Sequence, residues 1–240
     1  MPADPLKGYP EPSVRRLPLY LRLLKQLQAK GRDVVSCTHI SDDLGFTSIQ
    51  VRKDLAMTGI VGRPKIGYEI PSLIQAIEDF LGWNNVKDAF LVGAGSLGHA
   101  LLGYPGFDEY GLNIVAAFDN DPAKIGRTVH GKEILPIERL ENLARRMHVL
   151  IGILTVPGEA AQPADDLMVR SGIRAIWNYA PAKLDVPEFV VVEDVRLAAS
   201  LAVLTKRLKE AMHHTANNDA SQPAAAPDHR PDDDTLPTTA

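Results

Sequence analysis

Between Val14 and Ala29 the apolar residues Leu17, Tyr20, Leu21, Leu23, Leu24 and Leu27 recur at steps of three and four, the period of a helix with one buried face. Pro18 is tolerated there because it falls near the first turn, where its missing N–H has no intrahelical partner to lose. Gly31 closes this helix. Ser36 caps a short second helix through Ile40 and Leu44 that stops at Gly45, and Thr47 or Ser48 caps a third running to about Thr58. Helix, short helix, glycine turn and helix together outline a helix-turn-helix. On the third helix Val51 and Leu55 share the core-facing stripe, so Gln50, Arg52 and Lys53 are expected to point outward, with Asp54 turned sideways to fix Arg52 or a neighbour. The segment Gly62 to Ile70, with Arg63 and Lys65 at its tip and alternating apolar residues after it, reads as a basic wing.

The period then changes. Pro71 opens a helix to Leu81 whose apolar side is Leu73, Ile74, Ile77, Phe80 and Leu81, a connector closed by Gly82. Short apolar runs follow at Ala89–Val92, Asn113–Phe118, Val149–Leu154, Ala175–Trp177 and Val190–Val192, with a helical pattern at Glu159–Ser171 between two of them. Buried strands alternating with helices predict an α/β domain with a doubly wound parallel sheet. Val195 to Met212 repeats Leu197, Leu201, Leu204 and Leu208 as one apolar stripe, which must be covered either by its own domain or by a second subunit. From His214 onward four prolines, an alanine run and three consecutive aspartates leave no apolar period, and a solvated, disordered acidic tail is expected.

Two stretches carry recognisable chemistry. Ala89–Val92 leads directly into Gly93-Ala94-Gly95-Ser96-Leu97-Gly98 and then into a helix, the strand, G-x-G-x-x-G, helix order of a dinucleotide-binding turn. Gly93 permits the tight turn, Gly95 lets backbone approach a pyrophosphate, and Gly98 lets helix and strand pack closely. Asp119, at the end of the next strand, stands where an acid would meet the adenosine ribose, and its charge favours NAD(H) over NADP(H). Because ligands of such sheets lie beyond the carboxyl ends of the strands, Thr155-Val156-Pro157 and Asn178-Tyr179-Ala180-Pro181 are expected to line the same crevice. The outward Gln50, Arg52 and Lys53 suit a DNA major groove, where Gln can bridge an adenine edge, Arg can fork onto guanine and Lys can meet phosphate; Arg63 and Lys65 suit phosphates or a minor groove.

Charge sharpens this division. The 240 residues carry a net charge of −4, 45% hydrophobic and 23% charged residues, the composition of an ordinary globular protein. Residues 14–70 hold ten Lys or Arg against five Asp or Glu, whereas residues 71–213 and 214–240 are each net acidic, so a small basic module is joined to a mildly acidic larger one. Cys37 is the single cysteine, which excludes an intrachain disulfide, and no metal site is expected. Neither an export signal nor a spanning segment is read from the chain, and a cytoplasmic location is expected. The expected organisation is a flexible 1–13, a winged-helix DNA-binding domain at 14–70, a Rossmann domain at 71–193, a dimerisation helix at 194–213 and a tail at 214–240.

Several motifs in one order resemble the Rex family of redox-sensing transcriptional repressors: Arg16-Leu17-Pro18-Leu19-Tyr20-Leu21-Arg22, Gln50-Val51-Arg52-Lys53-Asp54-Leu55, the Gly93–Gly98 turn, Tyr104-Pro105-Gly106-Phe107, Phe118-Asp119, Leu154-Thr155-Val156-Pro157 and Asn178-Tyr179-Ala180-Pro181. The resemblance spans about residues 14 to 212. It implies a homodimer on a palindromic double-stranded operator, a C-terminal helix exchanged between subunits, and release from DNA when NADH binds. It also implies a switch in which Arg22, Tyr104 and an acid of the last helix change contacts with cofactor state, and it adds Tyr104 to the cofactor-binding set. The chain departs from the family pattern in three places. Ala56-Met57-Thr58-Gly59 replaces Ser-Tyr-Phe-Gly; Pro64-Lys65-Ile66-Gly67-Tyr68 replaces Arg-Gly-Val-Gly-Tyr; and Arg196 stands at the expected acid, where it cannot accept a hydrogen bond from Tyr104. The alternatives to a repressor sensing the NADH/NAD+ ratio are an NAD-dependent oxidoreductase and a nucleotide-sensing regulator without redox discrimination. An enzyme is not expected, because His99 and His148 occupy packing positions rather than a place beside a hydride site.

Overall fold

The computed structural model describes residues 8–83 and 87–219, and the chain divides into a unit ending at Val195 and a second beginning at Arg196. In the first unit a short helix α1 (Glu11–Val14) precedes α2 (Leu17–Ala29), and Ser13 is buried, so structure begins inside the segment expected to be flexible. Strand β1 (Val34–Val35), α3 (Cys37–Leu44), α4 (Ser48–Ala56), β2 (Tyr68–Glu69) and α5 (Ile70–Leu81) complete the basic module; Leu73 and Ile77 of α5 are buried in its core, so the helix expected to open the larger domain at 71 packs with the smaller one instead. Ser36 caps α3 by accepting the His39 amide, and Gly45 ends it in the left-handed region, as the spacing predicts. Strand β1 pairs antiparallel with β2, and an Arg63–Gly67 bridge closes the wing between α4 and β2. The α2 stripe, led by the fully buried Tyr20, Leu17 and Leu24, packs with Ile40, Val51, Leu55, Leu73 and Ile77 into one core.

The larger part runs β3 (Lys87–Val92), α6 (Ser96–Leu102), α7 (Gly106–Glu109), β4 (Leu112–Asp119), β5 (Thr128–Val129), β6 (Lys132–Pro136), α8 (Leu140–Met147), β7 (Ile151–Leu154), α9 (Gly158–Arg170), β8 (Ala175–Asn178) and β9 (Val191–Asp194). Its seven-stranded sheet has the order β5-β6-β4-β3-β7-β8-β9, parallel except for the antiparallel β5–β6 hairpin at one edge. Without β5 this is the doubly wound order whose chain direction reverses between β3 and β7, the place where such folds hold dinucleotides. The hairpin and α8 are absent from the sequence reading, and β5 makes the sheet mixed rather than wholly parallel. Apolar residues on one face include Phe90, Val92, Phe118 and Leu154, and on the other Leu91, Ala117 and Ile153, so both faces are covered, as a central parallel sheet requires.

The second unit is α10 (Leu197–Asp219), whose Leu197, Leu201, Leu204, Leu208 and Met212 are all exposed. The helix passes the expected end at 213, because Thr215 to Asp219 continue it before the first proline at 223; the rest of the acidic tail lies outside the described residues. Among the described residues no helix is long and apolar enough to cross a membrane.

Candidate DNA-reading surface and dinucleotide cleft

Helix α4 presents Arg52 and Lys53 outward, with Val51 and Leu55 fully buried beneath them. Gln50 and Asp54 of the same helix make contacts that the sequence reading does not include. Gln50 is exposed, but its side-chain carbonyl accepts the Thr47 amide at 3.0 Å and the Thr47 hydroxyl at 3.0 Å, while the Thr47 hydroxyl accepts the Gln50 amide at 3.2 Å. Gln50 is thus outward as expected, and its carbonyl oxygen, one of the two groups a bidentate contact to adenine would use, also closes a capping box that braces the helix start. Asp54 is 1% exposed, turned inward rather than sideways, and the side chain it fixes is Arg16 rather than Arg52. It accepts Arg16 Nε at 2.6 Å and Nη2 at 2.8 Å, and the Tyr20 hydroxyl at 2.6 Å, tying the recognition helix to α2. Burial works to raise the Asp54 pKa, but hydrogen bonds from Arg16, Tyr20 and Ser13 outweigh it and hold the carboxyl below its usual range. Burial, and then the Asp54 contact, push the Tyr20 phenol up.

At the wing, Arg63, Pro64, Lys65 and Ile66 are exposed, and Arg63 pairs with Glu69 at 2.9 Å. Lys65 has φ 63°, a left-handed conformation that glycine would adopt without strain.

The candidate dinucleotide cleft is a cavity of about 720 Å³ at the β3/β7 switch point, a volume within the usual range for cofactor sites. Gly93, Gly95, Leu97, Asp119, Thr155, Val156, Pro157, Tyr179 and Pro181 form part of its wall, so nine of the sequence-read residues meet in one place. The three glycines differ as their roles require. Gly93 has φ 103°, and a Cβ there would stand 2.8 Å from the Thr155 backbone; a Cβ at Gly98 would overlap the Gly93 carbonyl; a Cβ at Gly95 would meet no protein atom within 4 Å. The last is the pattern of a turn left open for a ligand rather than for packing.

Asp119 is buried at the end of β4. Its carboxylate accepts the Ala94 amide at 2.8 Å, the Asp121 amide at 2.9 Å and Lys124 Nζ at 3.0 Å. Burial alone would raise its pKa, but the Asp121 amide, Lys124 and the Ala94 amide reverse the direction, and the group stays charged at neutral pH. Thr155 donates to the Gly93 carbonyl at 2.6 Å, locking the glycine turn to the end of β7.

Six sequence-read residues, the buried Ala180 among them, lie off this wall. Ala94 is buried behind the turn with its amide on Asp119, Gly98 is packed against Gly93, and Ser96 starts α6 facing solvent. Asn178 is 1% exposed and points into the protein, where it donates to the Ala182 carbonyl and to Asp194 and accepts the Ala180 amide. It shapes the loop that presents Tyr179 instead of facing a ligand. Tyr104 lines a separate cavity of about 450 Å³ together with Arg22, Pro18, Lys25 and Glu109, so the two residues that the resemblance assigns to a switch share one wall. Ring contacts join the cavities: Tyr179–Trp177 at 5.3 Å, Trp177–Phe107 at 5.7 Å and Phe107–Tyr104 at 5.0 Å. Burial first, and then Tyr104, raise the Tyr179 phenol pKa.

Missed by the sequence reading were Lys124 and the α9 face Ala160, Pro163, Ala164 and Leu167 on the cleft wall. Their three- and four-residue steps along Glu159–Ser171 were the available signal, as Thr47-x-x-Gln50 was for the capping box.

Residues 9–56 match the family described as "Putative DNA-binding protein N-terminus", and residues 84–182 match the "CoA binding domain" family. The chain is 50% identical over 193 residues to the redox-sensing transcriptional repressor Rex of Treponema denticola, covering 80% of this chain and 92% of the relative. It is 46% identical to the protein of the same name from Bacteroides fragilis, over 83% of this chain and 90% of that one. Among solved structures it is similar to RSP in complex with β-NAD+ and operator DNA, at 33% identity and a TM-score of 0.80, over 89% of this chain and 99% of that one. It is also similar to RSP in complex with β-NADH, at 33% identity and a TM-score of 0.78, over 87% and 98%.

Proposed function

This chain belongs to the Rex family of redox-sensing transcriptional repressors, and we propose that it binds a palindromic operator as a homodimer and leaves it when NADH enters the cleft below the Gly93–Gly98 turn. The observation that carries this reading is that one compact unit holds both a cation-bearing recognition helix and an open glycine turn beside a charged acid. The relatives are named as repressors rather than enzymes, which speaks against the oxidoreductase.

The residues fit a nicotinamide dinucleotide, which supplies a ring whose charge and planarity differ between its oxidised and reduced forms. Gly95 leaves room for the pyrophosphate, Asp119 disfavours a 2′-phosphate, and Thr155, Val156 and Tyr179 border the strand ends where the ring would be read. Arg52, Lys53, Arg63 and Lys65 supply the DNA-facing charge, and the exposed stripe of α10 suits exchange with a second copy. Release requires only that the two forms bind the DNA-competent and incompetent dimers with a differential on the order of 1–3 kcal/mol.

Linkage gives the test. NADH fluorescence is titrated with the free protein and with protein saturated by a duplex selected from a random library. NADH affinity at least about fivefold weaker on the DNA-bound protein is expected, because operator and NADH must weaken each other reciprocally. Equal affinity overturns the proposal.

A further inference from the structure

Ile49 is 65% exposed at the second position of the recognition helix. With Arg52, Lys53 and Ala56, all exposed, it forms one stripe at three- and four-residue steps, opposite the buried Val51 and Leu55. The first turn of such a helix is the part that meets base edges in a major groove. Two residues there could distinguish an A·T pair: Gln50, through the adenine edge, and Ile49, through the thymine 5-methyl group. Gln50 lies off the stripe, and both its carbonyl contacts are made to Thr47. Ile49 has no such commitment, and its exposed apolar side chain shares the stripe with two cations of the kind that meet phosphates. On the reading of this chain as an operator-binding repressor, we propose that Ile49 reads the 5-methyl group of one thymine in each operator half-site, and that Gln50 acts as a brace without reading the base.

Replacing a thymine by uracil deletes only that methyl group, so the contact can be tested one group at a time. A fluorescent duplex selected from a random library by the full-length protein is used, with each half-site thymine replaced in turn by uracil. Anisotropy then gives the affinities of wild type, Ile49→Val and Ile49→Ala. One thymine position is expected to weaken wild type on the order of fourfold per half-site, the factor for one buried methyl group. The same replacement should leave Ile49→Ala unchanged, and Ile49→Val should fall between. Because Ile49 is exposed, the unfolding midpoints of both variants should match wild type, which separates misfolding from lost contact. The proposal is overturned if the Ile49→Ala and uracil losses multiply at every position, if no position responds, or if the selected half-site lacks thymine. Wild type that selects no duplex at all would instead overturn the repressor reading itself.

Discussion

The amide of Ala94 donates to the carboxylate of Asp119 at 2.8 Å, joining the glycine turn after β3 to the acid that ends β4. Two features spaced as separate motifs are therefore one unit, and the acid is positioned by the turn it serves. Asp119→Ala removes the acceptor of Ala94, Asp121 and Lys124 together. Loss of stability by roughly 2–4 kcal/mol is expected, since buried donors lose a charged partner. In Asp119→Asn, which keeps the shape, NADH affinity should fall at least about tenfold and the NADH-to-NADPH preference should shrink, because the negative charge facing a 2′-phosphate is gone. Fluorescence titration with both dinucleotides reads this directly.

Gly95 and Gly98 should respond oppositely to alanine. At Gly98 the new methyl meets the Gly93 carbonyl, so the unfolding midpoint should drop sharply. At Gly95 it meets open space at φ −85°, so the midpoint should stay near wild type while dinucleotide affinity collapses. Thermal melts with and without NADH separate the two: Gly95→Ala should lose the ligand-induced rise in midpoint that wild type shows.

The Arg16–Asp54–Tyr20 cluster links the recognition helix to α2. Arg16→Ala leaves Asp54 buried without its cation and should cost roughly 3 kcal/mol. The Asp54 pKa is depressed in the folded chain, so its stabilisation is present above the unfolded carboxylate range and disappears as pH falls through the lower folded value. Urea melts between pH 7 and 3 should show wild type losing stability in acid, and Arg16→Ala losing less.

Asp165 has the opposite sign. It sits on the core face of α9, 1% exposed, with Oδ1 unpartnered; burial, and then Asp166 and Asp185, raise its pKa to about 6. A raised carboxyl pKa means the folded chain holds its proton longer, so stability falls as pH rises from about 4 to about 6 and stays lower above that. Asp165→Asn should stabilise the protein at pH 7 by on the order of 2 kcal/mol and abolish that decline, measured by the same melts.

Lys65 holds a left-handed φ where glycine is free of strain. Lys65→Gly is expected to raise stability by up to about 1 kcal/mol while weakening DNA binding at every sequence and lowering the salt slope by about one unit per site, the signature of a lost phosphate contact. Stability and affinity moving in opposite directions would identify the strain as serving the wing.

Strong local signals carried most of this architecture in the sequence. The α2 stripe, the Gly45 turn and the strand leading into Gly93 are each set by neighbours a few residues apart. What escaped depends on distant partners or weak periods. Asp54 is defined by Arg16 and Tyr20, more than thirty residues away, and Asn178 by Asp194 across the β8–β9 pair. The β5–β6 hairpin has one strand of two residues and turns through His130 and Gly131, both at positive φ, without the Asn-Gly or Asp-Gly dipeptide that marks such turns. Gln50 carries two local signals at once: it lies on the outward face, and its capping-box spacing with Thr47 is visible in the sequence.

The central claim is that the cleft beside Asp119 governs the hold of α4 on DNA. Anisotropy of the selected duplex is followed at fixed total nicotinamide dinucleotide while the NADH fraction is raised, with wild type and Gly95→Ala in parallel. Wild type is expected to leave the duplex as NADH replaces NAD+, and Gly95→Ala to stay bound throughout. Wild type that remains bound at every ratio, or a Gly95→Ala protein released as readily as wild type, would contradict the account.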